Sequence, residues 1–210
     1  PVMFFTMLML VNPGDEVVYP NPSFPIYESC IRFAGGIPVP MPLLAGNDFR
    51  LDLEQFRNAI TPKTKLVLLN SPSNPTGGLF EKEDILAIAD ILRDRPDIFI
   101  LSDEIYDRLV FEGSAMSIAS LPEFKDRTII LDGFSKTYAM TGWRLGYGIM
   151  HEDLAKQMEM LMVNSNSCSA SFTQIAAMEA LKGPQDAVDE MRAAFKERRD
   201  WLIGALNDIP

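Results

Sequence analysis

Six short apolar runs rich in β-branched residues, separated by stretches of helical periodicity, constrain this chain more than any other feature. They fall at 16–19, 37–39, 66–69, 98–101, 128–131 and 145–150. Such alternation predicts an α/β domain with a mainly parallel, mixed central sheet flanked by helices. The intervening segments carry helix signals. Asp52 and Gln55 have N-cap and N3 spacing ahead of Leu53, Phe56 and Ile60, and after Phe80 the residues Ile85, Ile88, Ala89 and Leu92 repeat at i, i+3, i+4 and i+7. Beyond Met150 the pattern becomes helical throughout, with segments near 153–162 and 172–181 and a long one from about Gln185. Lys182-Gly183-Pro184 punctuates the last two and is the best boundary. Residues 1–182 then form one large domain, N-terminally truncated, and 183–210 a long helix leading toward a second, absent one.

The opening segment, 1–11, is strongly apolar. It has no basic residue before Arg32 to serve as the charged start of a signal peptide, and it is too short to span a bilayer, so it reads as a buried helix. The chain starts at proline and its last residues follow directly on an amphipathic pattern, so both ends read as cut from something longer. At 47% hydrophobic and 23% charged residues the composition is that of a folding globular chain. Nineteen Lys and Arg against 29 Asp and Glu leave a net charge of −10, which repels phosphate backbones and anionic lipid surfaces. No nucleic-acid or membrane partner is expected. Cys30 and Cys168 offer neither a disulfide framework nor a zinc site, which fits a reducing, cytoplasmic setting. The single histidine, His151, sits beside Glu152 and Asp153 and reads as a solvated helix-start residue rather than part of a catalytic triad.

In α/β sheets ligands gather beyond the carboxyl ends of strands, so polar residues just after each apolar run matter most. The run ending at Leu69 is followed by Asn74-Pro75-Thr76-Gly77, and the run ending at Leu101 by Asp103 and Tyr106. The run ending at Leu131 leads into Gly133-Phe134-Ser135-Lys136 and then Thr141-Gly142-Trp143-Arg144. Three strand ends thus deliver an amide, a carboxylate with a phenol, and a lysine with an arginine. Each alone has a structural explanation as a turn, a helix cap or a chance pair. Their joint appearance in this order does not.

With the Pro13-Gly14-Asp15 turn, these pieces resemble the class I and II aminotransferases, the fold-type I pyridoxal-phosphate enzymes, and the resemblance runs along the whole chain. The string from Phe134 to Arg144 looks most like the aspartate-aminotransferase branch. The resemblance implies a pyridoxal 5′-phosphate cofactor and L-amino-acid and 2-oxo-acid substrates. Lys136 becomes the Schiff-base lysine, and its free amine then carries the substrate's α-proton. Asp103 faces the pyridine nitrogen, where a charge pair at ~4 Å and effective dielectric ~20 contributes about 4 kcal/mol toward keeping it protonated. Tyr106 and Asn74 hydrogen-bond the phenolic oxygen, while Arg144 with Ser135 clamps the phosphate. Phe24 holds the position where relatives set an aromatic against the ring face, though a core aromatic at a strand-to-helix corner explains it equally well. Tyr27 is a weaker pocket candidate.

Two departures bear on this expectation. Many relatives have a hydroxyl residue three positions before the lysine, where this chain has Gly133. The phosphate-binding turn before the first helix and the arginine for the substrate carboxylate would both lie outside residues 1–210. Relatives are commonly homodimers, which the apolar start would suit. A C–S lyase, an aminocyclopropane-carboxylate synthase or a non-catalytic cofactor-sensing domain of a regulator would use nearly the same cofactor residues.

Overall fold

The computed structural model describes residues 1–209. Six strands form one sheet: β1 (Glu16–Asn21), β2 (Ile37–Pro42), β3 (Thr64–Asn70), β4 (Phe99–Asp103), β5 (Thr128–Gly133) and β6 (Gly146–Ile149). Each covers the apolar run that predicted it, with shifts of a few residues at the ends. Their spatial order is β2-β1-β3-β4-β5-β6, parallel throughout except for β6, which runs antiparallel to β5.

Among the described residues seven α-helices accompany the sheet: α1 (Val2–Leu10), α2 (Ile26–Phe33), α3 (Leu53–Ala59), α4 (Lys82–Leu92), α5 (Glu152–Ser165), α6 (Ser171–Lys182) and α7 (Asp186–Asn207). The strands are apolar on both faces because both faces are covered. Alternate residues divide between two cores: Val18, Val67, Leu69 and Ile100 pack with Phe56 of α3 and Ile85, Ile88 and Leu92 of α4. Val17, Tyr19, Leu66, Leu68, Leu101 and Ile129 pack instead with Met7 of α1 and Tyr27 and Ile31 of α2. This period-2 division makes a three-layer sandwich.

Local chemistry sets the helix ends. Asp52 accepts from the amides of Glu54 and Gln55 at 3.0 Å, as its N-cap position predicts, while the Gln55 carboxamide returns to the Asp52 carboxylate rather than to its backbone. α1 buries Phe5, Met7 and Leu10, so the apolar start is a core helix. His151 caps α5, its Nδ1 accepting from the Asp153 amide at 3.3 Å. At the C-terminal end of α4 the guanidinium of Arg127 donates to the carbonyls of Leu92 (3.0 Å) and Ile98 (3.2 Å). The crossover from β4 to β5 is made of 3-10 turns rather than a full helix. Glu104 anchors it, accepting from both the Ser102 and Ser117 hydroxyls at 2.7 and 2.6 Å. Among the described residues no helix is long and apolar enough to cross a membrane.

Candidate active site

Because β1, β3, β4 and β5 are parallel, their carboxyl ends share one edge, and β6, running back, begins at that same edge. Topology thereby gathers residues spread over more than a hundred positions. An open cleft of about 990 Å³ lies along this edge, lined by Phe24, Asn74, Asp103, Tyr106, Ser135, Lys136 and Arg144 among others. All seven residues singled out in the sequence thus face one cavity.

Asp103 closes β4 and is 5% exposed. Its Oδ2 accepts from the Tyr27 hydroxyl at 2.6 Å and its Oδ1 from the Ile105 amide at 3.3 Å. Burial pushes the Asp103 carboxyl up, and the two donors only partly offset this. The Tyr27 phenol is also pushed up, by burial and by the adjacent carboxylate, so it remains a protonated donor. Tyr27 was a secondary pocket candidate in the sequence; here it is the residue that orients Asp103.

Asn70 closes β3 in register with Asp103. Its carboxamide donates to the Asp103 carbonyl at 3.2 Å and accepts from the Asn74 amide at 2.9 Å, which fixes the loop carrying Asn74. Sequence reading passed over Asn70, although a polar residue ending an apolar run was the same signal that found Asp103. Phe24 is 43% exposed on the cleft wall and meets Tyr27 edge-on, with centroids 5.9 Å apart. It is therefore not a core aromatic.

Beyond β5 the chain makes a tight turn. The Met140 amide donates to the Phe134 carbonyl at 3.2 Å and the Ala139 amide to the Lys136 carbonyl at 3.2 Å. Phe134 is buried against Tyr138 and Tyr147, with centroids 5.6 and 5.5 Å away, and so anchors the residues on either side of Lys136. The Lys136 amine lies 5.8 Å from the centroid of the Tyr106 ring. Arg144 is exposed and adopts a left-handed backbone (φ 53°), which turns the chain into the antiparallel β6. Arg144 lines the cleft; one of its Nη atoms donates to the Thr141 carbonyl at 2.8 Å, and among the described residues it forms no ion pair with a carboxylate.

The structure also explains Gly133. It pairs with Gly146 across β5 and β6, and a Cβ at Gly133 would stand 2.9 Å from the Gly146 Cα and 3.1 Å from the Leu145 carbonyl. A hydroxyl residue has no room there. Ser135 is among the hydroxyl residues that line the same cleft.

The electrostatics are one-sided. Asp103, Glu104, Asp107 and Asp132 cluster at the ends of β4 and β5, and burial raises the carboxyl of each, Asp107 to about 6. Among the described residues no Lys, Arg or His forms an ion pair with any of them. Buried carboxylates without a cation are costly unless a ligand supplies the charge.

Comparison with known proteins agrees with this arrangement. Residues 2–210 match the family described as aminotransferase class I and II. The chain is 41% identical to an aspartate aminotransferase of Bacillus sp. (strain YM-2), covering 100% of this chain and 54% of that protein. It is 42% identical to a probable aspartate/prephenate aminotransferase of Aquifex aeolicus, again over 100% of this chain and 54% of the relative. Among solved structures, the aspartate aminotransferase from Rhizobium meliloti superposes with a TM-score of 0.94 at 38% identity, over 99% of this chain and 52% of that one. The chain spans about half the length of the curated relatives it matches. A sheet edge that gathers Lys136, Asp103 and Arg144 in one cleft, with similarity along its whole length, places this chain in the class I and II aminotransferase family.

Proposed function

We propose that this chain is the cofactor-binding part of an enzyme that uses pyridoxal 5′-phosphate to move an amino group between an L-amino acid, aspartate-like or other, and a 2-oxo acid. One observation carries the reading: a primary amine and a buried, cation-free carboxylate face the same cleft. When bound, the cofactor supplies an electron sink for the substrate's Cα–H bond pair. Asp103, held by Tyr27 and the Ile105 amide, favours a proton on the ring nitrogen. Lys136 would anchor the group through its amine and, as a free amine, would carry the α-proton. Tyr106 and Asn74 would hydrogen-bond the phenolic oxygen, and the Phe24 ring would pack on the cofactor face. Arg144 and Ser135 would hold the phosphate, Arg144 through its planar fork.

The same reading treats residues 1–182 as the large domain and 183–210 as the helix toward a smaller one. It is supported by the glycine corner at Gly183 and by the exposed Trp201, Leu202 and Ile203 of α7. We further read the protein as a cytoplasmic homodimer. What supports pairing is the apolar row Phe172, Ile175, Met178 and Leu181, all at least half exposed along α6, and what supports the compartment is a pair of unbridged cysteines.

The test uses the full-length protein. Incubation with the cofactor, borohydride reduction and peptide mapping is expected to recover the label on Lys136, and recovery on another lysine refutes the assignment. A coupled assay with aspartate or glutamate and a 2-oxo acid is expected to show stoichiometric exchange. Cofactor binding without keto product would mark a sensor, and product release without acceptor consumption a lyase. Arg144→Lys replaces a bidentate fork with a point charge and is expected to weaken cofactor affinity about 10- to 100-fold, read by absorbance titration.

A further inference from the structure

Asn70 has no role in the reading above, yet it lines the cleft and touches two of the residues to which that reading gives one. It ends β3 opposite Asp103, at the last pair of the β3–β4 ladder, and is 1% exposed. Its single carboxamide makes three bonds. Nδ2 donates to the carbonyls of Asp103 at 3.2 Å and Pro72 at 3.3 Å, and Oδ1 accepts from the Asn74 amide at 2.9 Å. The partners settle which end is nitrogen, because two carbonyls can only accept and a backbone amide can only donate. We propose that Asn70 is a positioning residue for the cofactor ring: by holding the Asp103 carbonyl and the Asn74 amide at once, it fixes the spacing between the carboxylate assigned to the ring nitrogen and the carboxamide assigned to the phenolic oxygen.

The loop that carries Asn74 is closed on itself. The Ser73 amide donates to the Gly78 carbonyl at 2.9 Å, and the Gly77 amide to the Ser73 carbonyl at 2.8 Å. The Ser71 hydroxyl accepts from the Phe80 amide at 2.8 Å, which ties the start of the loop to its end. A loop bonded internally in this way moves as a unit, and the β3–β4 backbone ladder stops at Asn70 and Asp103. Past that point the Asn70 side chain carries the connection between the loop and β4. Asp103 is thereby held at two places, its carboxylate by Tyr27 and the Ile105 amide and its carbonyl by Asn70. A ring gripped at two positions needs its partners placed to within about 0.5 Å, so what sets their spacing sets how well both contacts can be made together. The inference rests on the cofactor reading of Asp103 and Asn74.

The experiment is a double-mutant cycle on the full-length protein, read as affinity for pyridoxal 5′-phosphate by absorbance titration. Asn74→Ala is expected to weaken binding about 10-fold, the scale of one hydrogen bond to a charged oxygen. Asn70→Ala is expected to weaken it at least as much, because it frees Asn74 and Asp103 together. The double variant should lose no more than about twofold beyond Asn70→Ala alone, since a residue that acts through another is not additive with it. A second reading is the pH at which the lysine-bound chromophore loses its proton. A phenolic oxygen that loses a donor holds the neighbouring proton more tightly, so the midpoint is expected to rise by about half a pH unit in both single variants. A purely structural role lowers the melting temperature and leaves that midpoint where it was. If Asn70→Ala fails to fold, Asn70→Ser, whose hydroxyl cannot serve all three partners, takes its place in the cycle. Affinity equal to the parent's, losses that multiply in the double variant, or a midpoint that stays put overturns the role of Asn70. Failure to recover the borohydride label on Lys136 in the unaltered protein instead overturns the cofactor reading on which it stands.

Discussion

Replacing Lys136 with alanine lowers the amino-transfer rate of the full-length protein by about four orders of magnitude or more, measured as kcat in the coupled assay. Two functions vanish together, the covalent anchor and the proton carrier, and a positioned general base alone contributes on the order of 10² to 10⁴. Folding should be untouched. Lys136 is half-buried and forms no ion pair among the described residues, while the turn that carries it is held by backbone bonds from Met140 and Ala139 and by the buried Phe134 ring. The variant is therefore expected to unfold at the same temperature as the parent, to bind the cofactor non-covalently through Arg144 and Asp103, and to give no borohydride-fixed product. A variant retaining more than about one per cent of parental kcat would remove Lys136 from the chemistry.

Asp103→Asn is expected to cost about 10³-fold in kcat while stabilising the protein before the cofactor binds. The two effects have one cause. A carboxylate facing a ring cation at ~4 Å contributes about 4 kcal/mol at an effective dielectric of ~20, which converts to roughly a thousandfold in rate. Without that cation the same carboxyl is desolvated and repelled by Asp132 and Glu104, so burial and like charge raise it. Asparagine keeps an acceptor for the Tyr27 hydroxyl and the Ile105 amide but carries no charge to desolvate. The cofactor-free variant should thus melt a few degrees higher in calorimetry, with the difference largest above the pH at which Asp103 ionises. Asp103→Ala, which strands the Tyr27 hydroxyl, should instead melt lower, since an unpaired buried donor costs about 1–3 kcal/mol. If Asp103→Asn lowers both stability and rate, the carboxylate is a structural hydrogen-bond partner rather than a charge held for a ligand.

Much of the site could be read from one rule applied to the sequence, that polar residues following an apolar run face a ligand. Asn74, Asp103, Tyr106, Ser135 and Lys136 all met it, because strand ends and their turns are encoded locally. The same rule also reaches Asn70 and Asp132, which directly follow the runs ending at Leu69 and Leu131 but were given no role in the sequence reading. Tyr27 could not have been ranked this way. It lies 76 positions before the carboxylate it holds, on a helix whose local pattern explains its burial without reference to Asp103.

The sequence by itself determined the elements: six apolar runs, the Asp52 cap, the buried opening helix and the glycine corner at Gly183 all depend on neighbours within a few residues. Only the tertiary structure decided which strands lie side by side, that β6 turns back so that Arg144 lines the same cleft as Lys136, and that Gly133 must be bare because Gly146 passes beneath it. The same is true of the acidic cluster, whose carboxylates come from the ends of β4 and β5 and the turn after β4 and acquire their common electrostatic character only through shared burial. Hydrogen-bonded turns and caps are short-range and leave a pattern in the chain. Desolvation, strand register and charge–charge coupling act through space, and they exist only once the sheet has brought distant residues together.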